Sequence, residues 1–496
     1  MKANPGLLVL ALAAPLVARS ATFDVTKTAD TADGSCDAQD CSLREAVLAA
    51  NAISGSTVEV PAGVYRLSIP RLPRGDNAPG DGTNGNLVVG VPMTLHGAGS
   101  ANTIIDARPG AEGAGIDRVF SVTLSGNLAI SDVTVSGGAT AGQGGGILVL
   151  GGSLAIQDAV ATGNLATGGG GGIAASSGAH TAITRCEIAG NTSGPMGSGG
   201  GIQNIQSELT VADSTIRDNT AIQSTGGGIM NIDLQNRPNP AALLTVTGTT
   251  VSGNLAGDPA RLSLNEGVGG GIYNRSGKLL LRNSTIAENE AVPSFAEGFG
   301  PIAGTGRGGG LAHEMLLGDD PDDGTIVISS TIAYNVALTG SQLYGFTTFG
   351  PAIFANTLVA GGPGATPNCA DDDAAADGLR SVGGGNLSTD ASPCNFDLAT
   401  DLPNVGDPGL APALAHNGGP TETIALLDGS PAIDHGFPGS CPMKDQRGAP
   451  RGSPCDIGAV EAPEPGAAAL AGAALAALAS LAARPLRAAS RGAADP

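Results

Sequence analysis

Six stretches of the chain alternate apolar and polar residues and then stop at an asparagine: "LAIQDAVATGN", "TAITRCEIAGN", "LTVADSTIRDN", "LTVTGTTVSGN", "LLLRNSTIAEN" and "IVISSTIAYN". Alternation with a period of two puts every second side chain on one face, the signature of a half-buried strand. An earlier stretch, "LAISDVTVSGG", ends in Gly138 where the others end in Asn164, Asn191, Asn219, Asn254, Asn289 and Asn335. Between these stretches the chain returns to three glycines before Ile147, Ile173, Ile202, Ile229, Ile272 and Leu311. The third glycines lie 26 residues apart (Gly146 to Gly172), then 29 (to Gly201), 27 (to Gly228), 43 (to Gly271) and 39 (to Gly310). A period in the twenties with lengthening inserts predicts a solenoid rather than a propeller. Two short strands fit in each repeat and helices do not. The predicted fold is all-β: a right-handed parallel β-helix, a pectin-lyase-like solenoid with small N- and C-terminal caps, its coils pairing at about 4.8 Å.

Stacked coils repeat an awkward turn in register. Asparagine tolerates the left-handed conformation that most residues avoid, and its amide can bond the asparagine above and below. The six asparagines are therefore expected to form a structural ladder, with Gly138 continuing it. The glycines let the chain turn close to its neighbours before Ile or Leu enters the core. Composition agrees: Gly is 79 of 496 residues, aromatics are 3% with no Trp, and hydrophobic residues are 41%. The core must then be aliphatic. The net charge of −21 argues against nucleic-acid phosphate and anionic lipid as partners.

Both ends carry addresses. Residues 1–20 have Lys2, an apolar run from Leu7 to Ala18 and small residues at Ala18 and Ser20, the pattern of a signal peptide. At the other end, residues 462–496, Gly466 to Ala483 is uncharged and followed by Arg484, Arg487 and Arg491. As a helix it would be about 27 Å long, enough for transient membrane insertion with the arginines inside. With Pro463-Glu464-Pro465 in front, the tail resembles a PEP-CTERM sorting signal, which implies processing by an exosortase. It departs from that pattern in being mostly Ala and in carrying Pro485 among its arginines.

Six of the seven cysteines fall in local pairs: Cys36 with Cys41, Cys369 with Cys394, and Cys441 with Cys455. In an exported chain, pairs flanking a repeat region read as disulfide staples of the caps, leaving Cys186 as a buried thiol. The segment around "CSLREA", Cys41 to Ala46, resembles the CSLREA domain, with Ser42 and Glu45 set as a capping box of a short helix. "GGNLSTDASPCNF" and "LAHNGGPTETIALLDGSPAIDHG", followed by "CPMKDQRGAPR" and "CDIGAVE", are similar to the choice-of-anchor Q domain. The division expected from these resemblances is a CSLREA cap at 21–60, β-helix repeats at 61–365 and a choice-of-anchor Q cap at 366–461. Asp445, Arg447, Asp434, Asp456 and Glu461 read as buried pairing within that last cap.

Folds of this kind host pectate lyases and polygalacturonase-like hydrolases, so candidate chemistry needs weighing. The Gly-His-Gly and Arg-x-Lys tripeptides of polygalacturonases are absent from the sequence, and "NID" at Asn231 to Asp233 is short enough to be chance. The best local collection for catalysis is Arg307, His313 and Glu314, against the plainer reading of a solvated turn. Seven of the thirteen aromatics lie between residues 295 and 354. Among them Tyr344, Phe346 and Phe349 are candidates to line a glycan surface or, instead, to fill the last coil. The acidic loop with Asp319, Asp320, Asp322 and Asp323, like those around Asp371 to Asp377 and Asp30 to Asp40, offers oxygen ligands suited to Ca²⁺ but lacks any calcium-loop motif.

These observations point to an exported protein of the bacterial cell surface, outer envelope or extracellular space. The leading reading is a non-catalytic adhesin or matrix component that binds extracellular polysaccharide. The alternative is a polysaccharide lyase or glycoside hydrolase acting on an acidic polysaccharide.

Overall fold

A computed structural model describes residues 20–463, except 35, 111–112, 196, 235–241, 297–299, 316–323, 348–349, 363–365 and 373–377. The expected signal segment (but for Ser20) and the sorting tail beyond Pro463 thus lie outside the described residues. The chain winds into a right-handed parallel β-helix. One coil serves as the type: strand Ile147–Leu150 belongs to sheet I, Ser153–Gln157 to sheet II, Val160–Thr162 to sheet III and Leu165–Ala166 to a short sheet IV. Among the described residues these four sheets have 10, 12, 11 and 6 strands. Each full coil therefore holds four strands, not two. The alternating run is broken in its middle by a left-handed residue, Asp158 in this coil (φ 50°), and the residues after the glycine triplet form a strand of their own.

Register is strict. Ile147, Ile173, Ile202, Ile229, Ile272, Leu311 and Leu343 pair in succession along sheet I, and all are buried. The triplet glycines have separate tasks. The first takes a left-handed φ, as Gly170 does at +63°, and a Cβ on the second, Gly171, would lie 2.4 Å from the carbonyl oxygen of Gly200 in the next coil. That distance forbids any side chain.

The asparagine side chains bond from coil to coil. Each amide Nδ2 donates to the next Oδ1: Asn164 to Asn191 at 3.0 Å, Asn191 to Asn219 at 3.0 Å, Asn219 to Asn254 at 2.9 Å, Asn254 to Asn289 at 2.9 Å and Asn289 to Asn335 at 2.9 Å. Gly138 begins the row by donating its N–H to Asn164 Oδ1, and Gln342 ends it by accepting from Asn335. These asparagines do not take the left-handed conformation. That belongs to the residue before each: Gly163, Gly190, Asp218, Gly253, Glu288 and Tyr334. Asparagine is needed here for its amide, which also satisfies a buried backbone carbonyl, such as that of Ile188 for Asn219 at 2.8 Å.

A second internal row went unread in the sequence. Asn204, Asn231, Asn274 and His313 are in register on sheet I and fully buried. Asn204 donates to Asn231, Asn231 to Asn274 and Asn274 to Thr325. Thr325 Oγ1 lies 3.0 Å from His313 Nδ1, and His313 Nε2 lies 3.1 Å from the carbonyl of Gly350. A carbonyl can only accept, so Nε2 carries the proton and Nδ1 accepts from Thr325. Within "NID", Asn231 belongs to this row, a structural place with no bearing on the hydrolase signature.

At the N-terminal end, helix Leu43–Asn51 crosses the first coil, with Ser42 and Glu45 in a complete capping box and Ala46, Val47 and Ala50 buried. Arg44 is wholly buried because Asp30 takes its Nε at 2.7 Å while Gly82 and Gly85 offer carbonyls at 2.8 Å. At the other end, coils continue past residue 365 to strand Leu387–Ser388, and Phe396 packs edge-on against Phe354. The following segment then turns back along the outside of sheet III as a strap. Thr421 donates to the carbonyl of Gly248, Gln446 bonds both Thr250 and Thr285, and Ala459 N–H donates to Thr331. Ala287, Ala333 and Ala360 leave this face flat, so Leu410, Ile424 and Ile457 pack onto it. Within the strap, Asp445 holds Arg447 at 2.6 Å and Glu461 holds Arg451 at 3.2 Å. Disulfides join Cys36 to Cys41, Cys369 to Cys394 and Cys441 to Cys455, with Cα separations of 4.1, 5.1 and 6.0 Å, and Cys186 is free and buried.

Three outcomes follow. Asn219→Leu strands the carbonyl of Ile188 and the N–H of Asn191, and should lower stability by about 3 kcal/mol in chemical denaturation. Peptide mapping without reductant should return the three pairs above and an unmodified Cys186. Burial pushes His313 from its ordinary 6.5 down to about 4. The unfolded chain therefore binds the proton first as pH falls, and stability due to His313 is present above pH 6.5 and lost between about 6.5 and 4. Melting temperatures of His313→Asn, measured across that window, should lack this part of the acid sensitivity.

Candidate functional site

Strand alternation separates two of the catalytic candidates. His313 points into the core, and its neighbour Glu314 points outward to accept the Tyr273 hydroxyl. Arg307 lies over the Tyr344 ring, 5.3 Å from its centroid, and donates to its hydroxyl. Adjacent strand residues face opposite sides, so His313 is separated from Glu314, whereas Arg307 and Glu314 both meet the outer-face tyrosines, Arg307 at Tyr344 and Glu314 at Tyr273. Tyr344 does not line an open glycan surface. It is 2% exposed, donates to Asp372 at 2.9 Å, and packs with Met230, Tyr273 and the half-buried Phe346 on the outer face of sheet I. Burial, then the bond to Asp372, raises its hydroxyl well above the ordinary 10. Phe349 and Asp319, Asp320, Asp322 and Asp323 lie outside the described residues.

Asp373 and Asp377 lie outside the described residues, while the acidic residues between Asp30 and Asp40 serve the fold. Asp30 accepts from Arg44 and from the N–H groups of Ser68 and Ile69, Asp37 caps a turn through Gln39 and Asp40, and Asp40 meets Lys27. Among the described residues no three His, Cys, Asp or Glu side chains converge as a metal site would require.

The concave site is elsewhere. A groove of about 960 Å³ runs along sheet III, past the point where the strap loop Ala413 to Glu422 forms a wall. Stacking generates its lining as rows. Asp158, Arg185 and Asp213 occupy the left-handed corner between sheets II and III in successive coils. Glu187 and Thr215 follow one another in register on sheet III, and the column continues as Thr250, Thr285 and Thr331 beneath the strap. Arg217 is next to Asp218, and Glu288 lines the same side. The rows interlock through ion pairs: Arg185 grips Asp158 with two bonds of 2.7 and 2.8 Å, and Arg217 bridges Glu187 and Asp218 at 2.5 Å each.

Electrostatics follow from those contacts. The bonds from Arg185, then from Gln157, hold Asp158 below the usual carboxylate range. Burial would lower Arg217, but its bonds to Asp218 and Glu187 raise it. Cys186 borders the groove, yet burial pushes its thiol up to about 11, leaving it inert. Six carboxylates (Asp158, Glu187, Asp213, Asp218, Glu288 and Glu422) stand against two guanidiniums, so the groove is acidic. Part of this was open to sequence reading: Asp158, Arg185 and Asp213 all stand six residues before a ladder asparagine. The strap wall, more than 190 residues further along the chain, had no such signal.

A comparison with curated proteins finds no match. Among solved structures, the chain resembles pectate lyase Pel9A at 14% identity, over 90% of this chain and 97% of that one, with a TM-score of 0.48. It also resembles the catalytic domain of a GH87 alpha-1,3-glucanase solved with tetrasaccharides, at 11% identity over 74% of this chain and 70% of that one, TM-score 0.29. The catalytic unit of the GH87 alpha-1,3-glucanase from Streptomyces thermodiastaticus strain HF3-3 matches at 16% identity over 72% and 65%, TM-score 0.27. Residues 118–308, which hold five of the six glycine triplets and most of the asparagine ladder, match the family described as right handed beta helix region.

Proposed function

We propose that the protein is an exported, surface-displayed β-helix that binds polysaccharide outside the cell without cleaving it, as an adhesin or matrix component. The observation that carries this reading is the lateral groove, where hydrogen-bonding groups recur once per coil over an open track. A repeating polymer meets such a track with its own repeat, and each bond is modest until several form together.

Export is supported by three disulfides, which persist in oxidising compartments, and by the resemblance of residues 1–20 to a signal peptide. In this reading residues 21–60 and 366–461 are the CSLREA and choice-of-anchor Q segments, the second supplying the last coil up to Leu387–Ser388 before its strap, and an exosortase processes the tail at 462–496.

The excess of carboxylates repels polyanions. Neutral or amino-bearing glycans should therefore bind better than uronic-acid polymers, measured by calorimetry with a panel of each. No reducing ends and no unsaturated products should accumulate; if they do, the protein is an enzyme and the binding reading is overturned. Thr215→Tyr, placed on the groove floor, should weaken binding at least about tenfold, or 1.4 kcal/mol, while the melting temperature is kept.

A further inference from the structure

We infer that, while the tail is inserted and before it is processed, the protein lies on its side against a phospholipid bilayer, with the strap-covered face of sheet III toward the headgroups. The inference rests on the reading above that Gly466 to Ala483 inserts into a membrane, and it adds what that reading leaves open: which surface of the solenoid meets the lipid.

The position of the chain at Pro463 carries the argument. Glu461 N–H donates to Asp445 at 3.0 Å, Ala462 N–H donates to Asp456 at 2.5 Å, and Arg447 donates to the carbonyl of Glu461. Gln446, between Asp445 and Arg447, is clamped by Thr250 and Thr285. The chain thus leaves the body beside those two coils. Beyond Thr285, the sheet III column still has Thr331, Leu358 and Leu387 to run, about 14 Å at one coil per 4.8 Å. In the other direction six further coils separate Thr250 from Val64, about 29 Å.

Only Glu464 and Pro465 stand between Pro463 and the apolar run. Three steps of extended chain reach about 10 Å at most. That tether is too short to let the solenoid stand on either end, because the exit would then be held off the bilayer by the remaining coils. It is long enough when the strap itself touches the surface. A separate observation agrees: the strap exposes Met443 (92%), Leu427 (48%) and Phe437 (38%), with Lys444 beside Met443. Met443, exposed beside Lys444, suits the headgroup boundary. In this pose the groove opens beside the bilayer.

The native cysteines suit a labelling test, since six are paired and Cys186 is buried. Single variants Met443→Cys and His416→Cys report on the strap, and Thr94→Cys and Arg380→Cys report on sheet II near its two ends. The full chain is reconstituted in phosphatidylcholine vesicles, floated, and treated with a bulky maleimide, with the same variants in detergent as reference. Strap positions should react at least about tenfold more slowly in vesicles, while Thr94→Cys and Arg380→Cys keep their detergent rates. Equal rates at all four, or protection at one end of sheet II with the strap open, overturn the pose while leaving the anchor intact. Failure to float overturns the anchor reading, and the pose with it.

Discussion

A coil of this solenoid cannot satisfy its own buried amides, and everything else in the molecule depends on that. Asn219 makes the point: its amide gives one bond to the coil after it, at Asn254, and another to the coil before it, at Ile188, while its oxygen accepts from Asn191. Such a row works only if each coil sits directly over the last. That requirement brings the backbones so close that the second and third glycines of each triplet have no room for a Cβ. The entropy lost at those glycines is offset by a continuous aliphatic stack that no single coil buries alone.

Strict stacking has a second result, on the outside. Any residue type that recurs at the same place in the repeat becomes a row along the axis. On sheet III one such row is threonine. Its later members are engaged by the strap, through Glu422, Gln446 and Ala459, while Thr215 opens into the groove. The same surface thus holds the strap over one part of its length and leaves a track over the rest. The corner positions, free of core packing, carry the charge that makes this track acidic.

The ends are closed by different means. Helix Leu43–Asn51 covers the first coil and is fastened by a buried Arg44 and a capping box. Bonds from the N–H of Ser42, the hydroxyl of Thr31 and the N–H of Asp33 outweigh burial and hold Glu45 down at about 2, so this cap keeps its charge through mild acid. An open sheet edge would invite another chain to pair with it. At the far end, Phe396 covers the last coil and the chain is left free to run back along the side.

Period-two alternation, the returning triplet and the spaced asparagines were enough to read the solenoid, its core residues and the row of amides from Asn164 to Asn335. These are local patterns repeated in register, and repetition writes them into the chain at fixed offsets. The reason first assigned to the asparagines, a left-handed backbone, belongs instead to their predecessors, because the turn and the amide are separate demands on adjacent residues. The row through Asn204, Asn231, Asn274 and His313 stands three residues after the third glycine of each triplet, and it was harder to see because the two earlier coils carry Val149 and Ala175 there and the last carries a histidine. Arg307, His313 and Glu314 looked like a site because they are near in sequence, yet strand alternation turns His313 inward and Glu314 outward. The groove needed the strap, and the strap's place depends on contacts such as Thr421 to Gly248 and Gln446 to Thr285. Repeats make coil-to-coil contacts legible because every coil faces a near copy of itself. A segment that folds back over distant coils meets no copy, and only the tertiary structure decides where it lands.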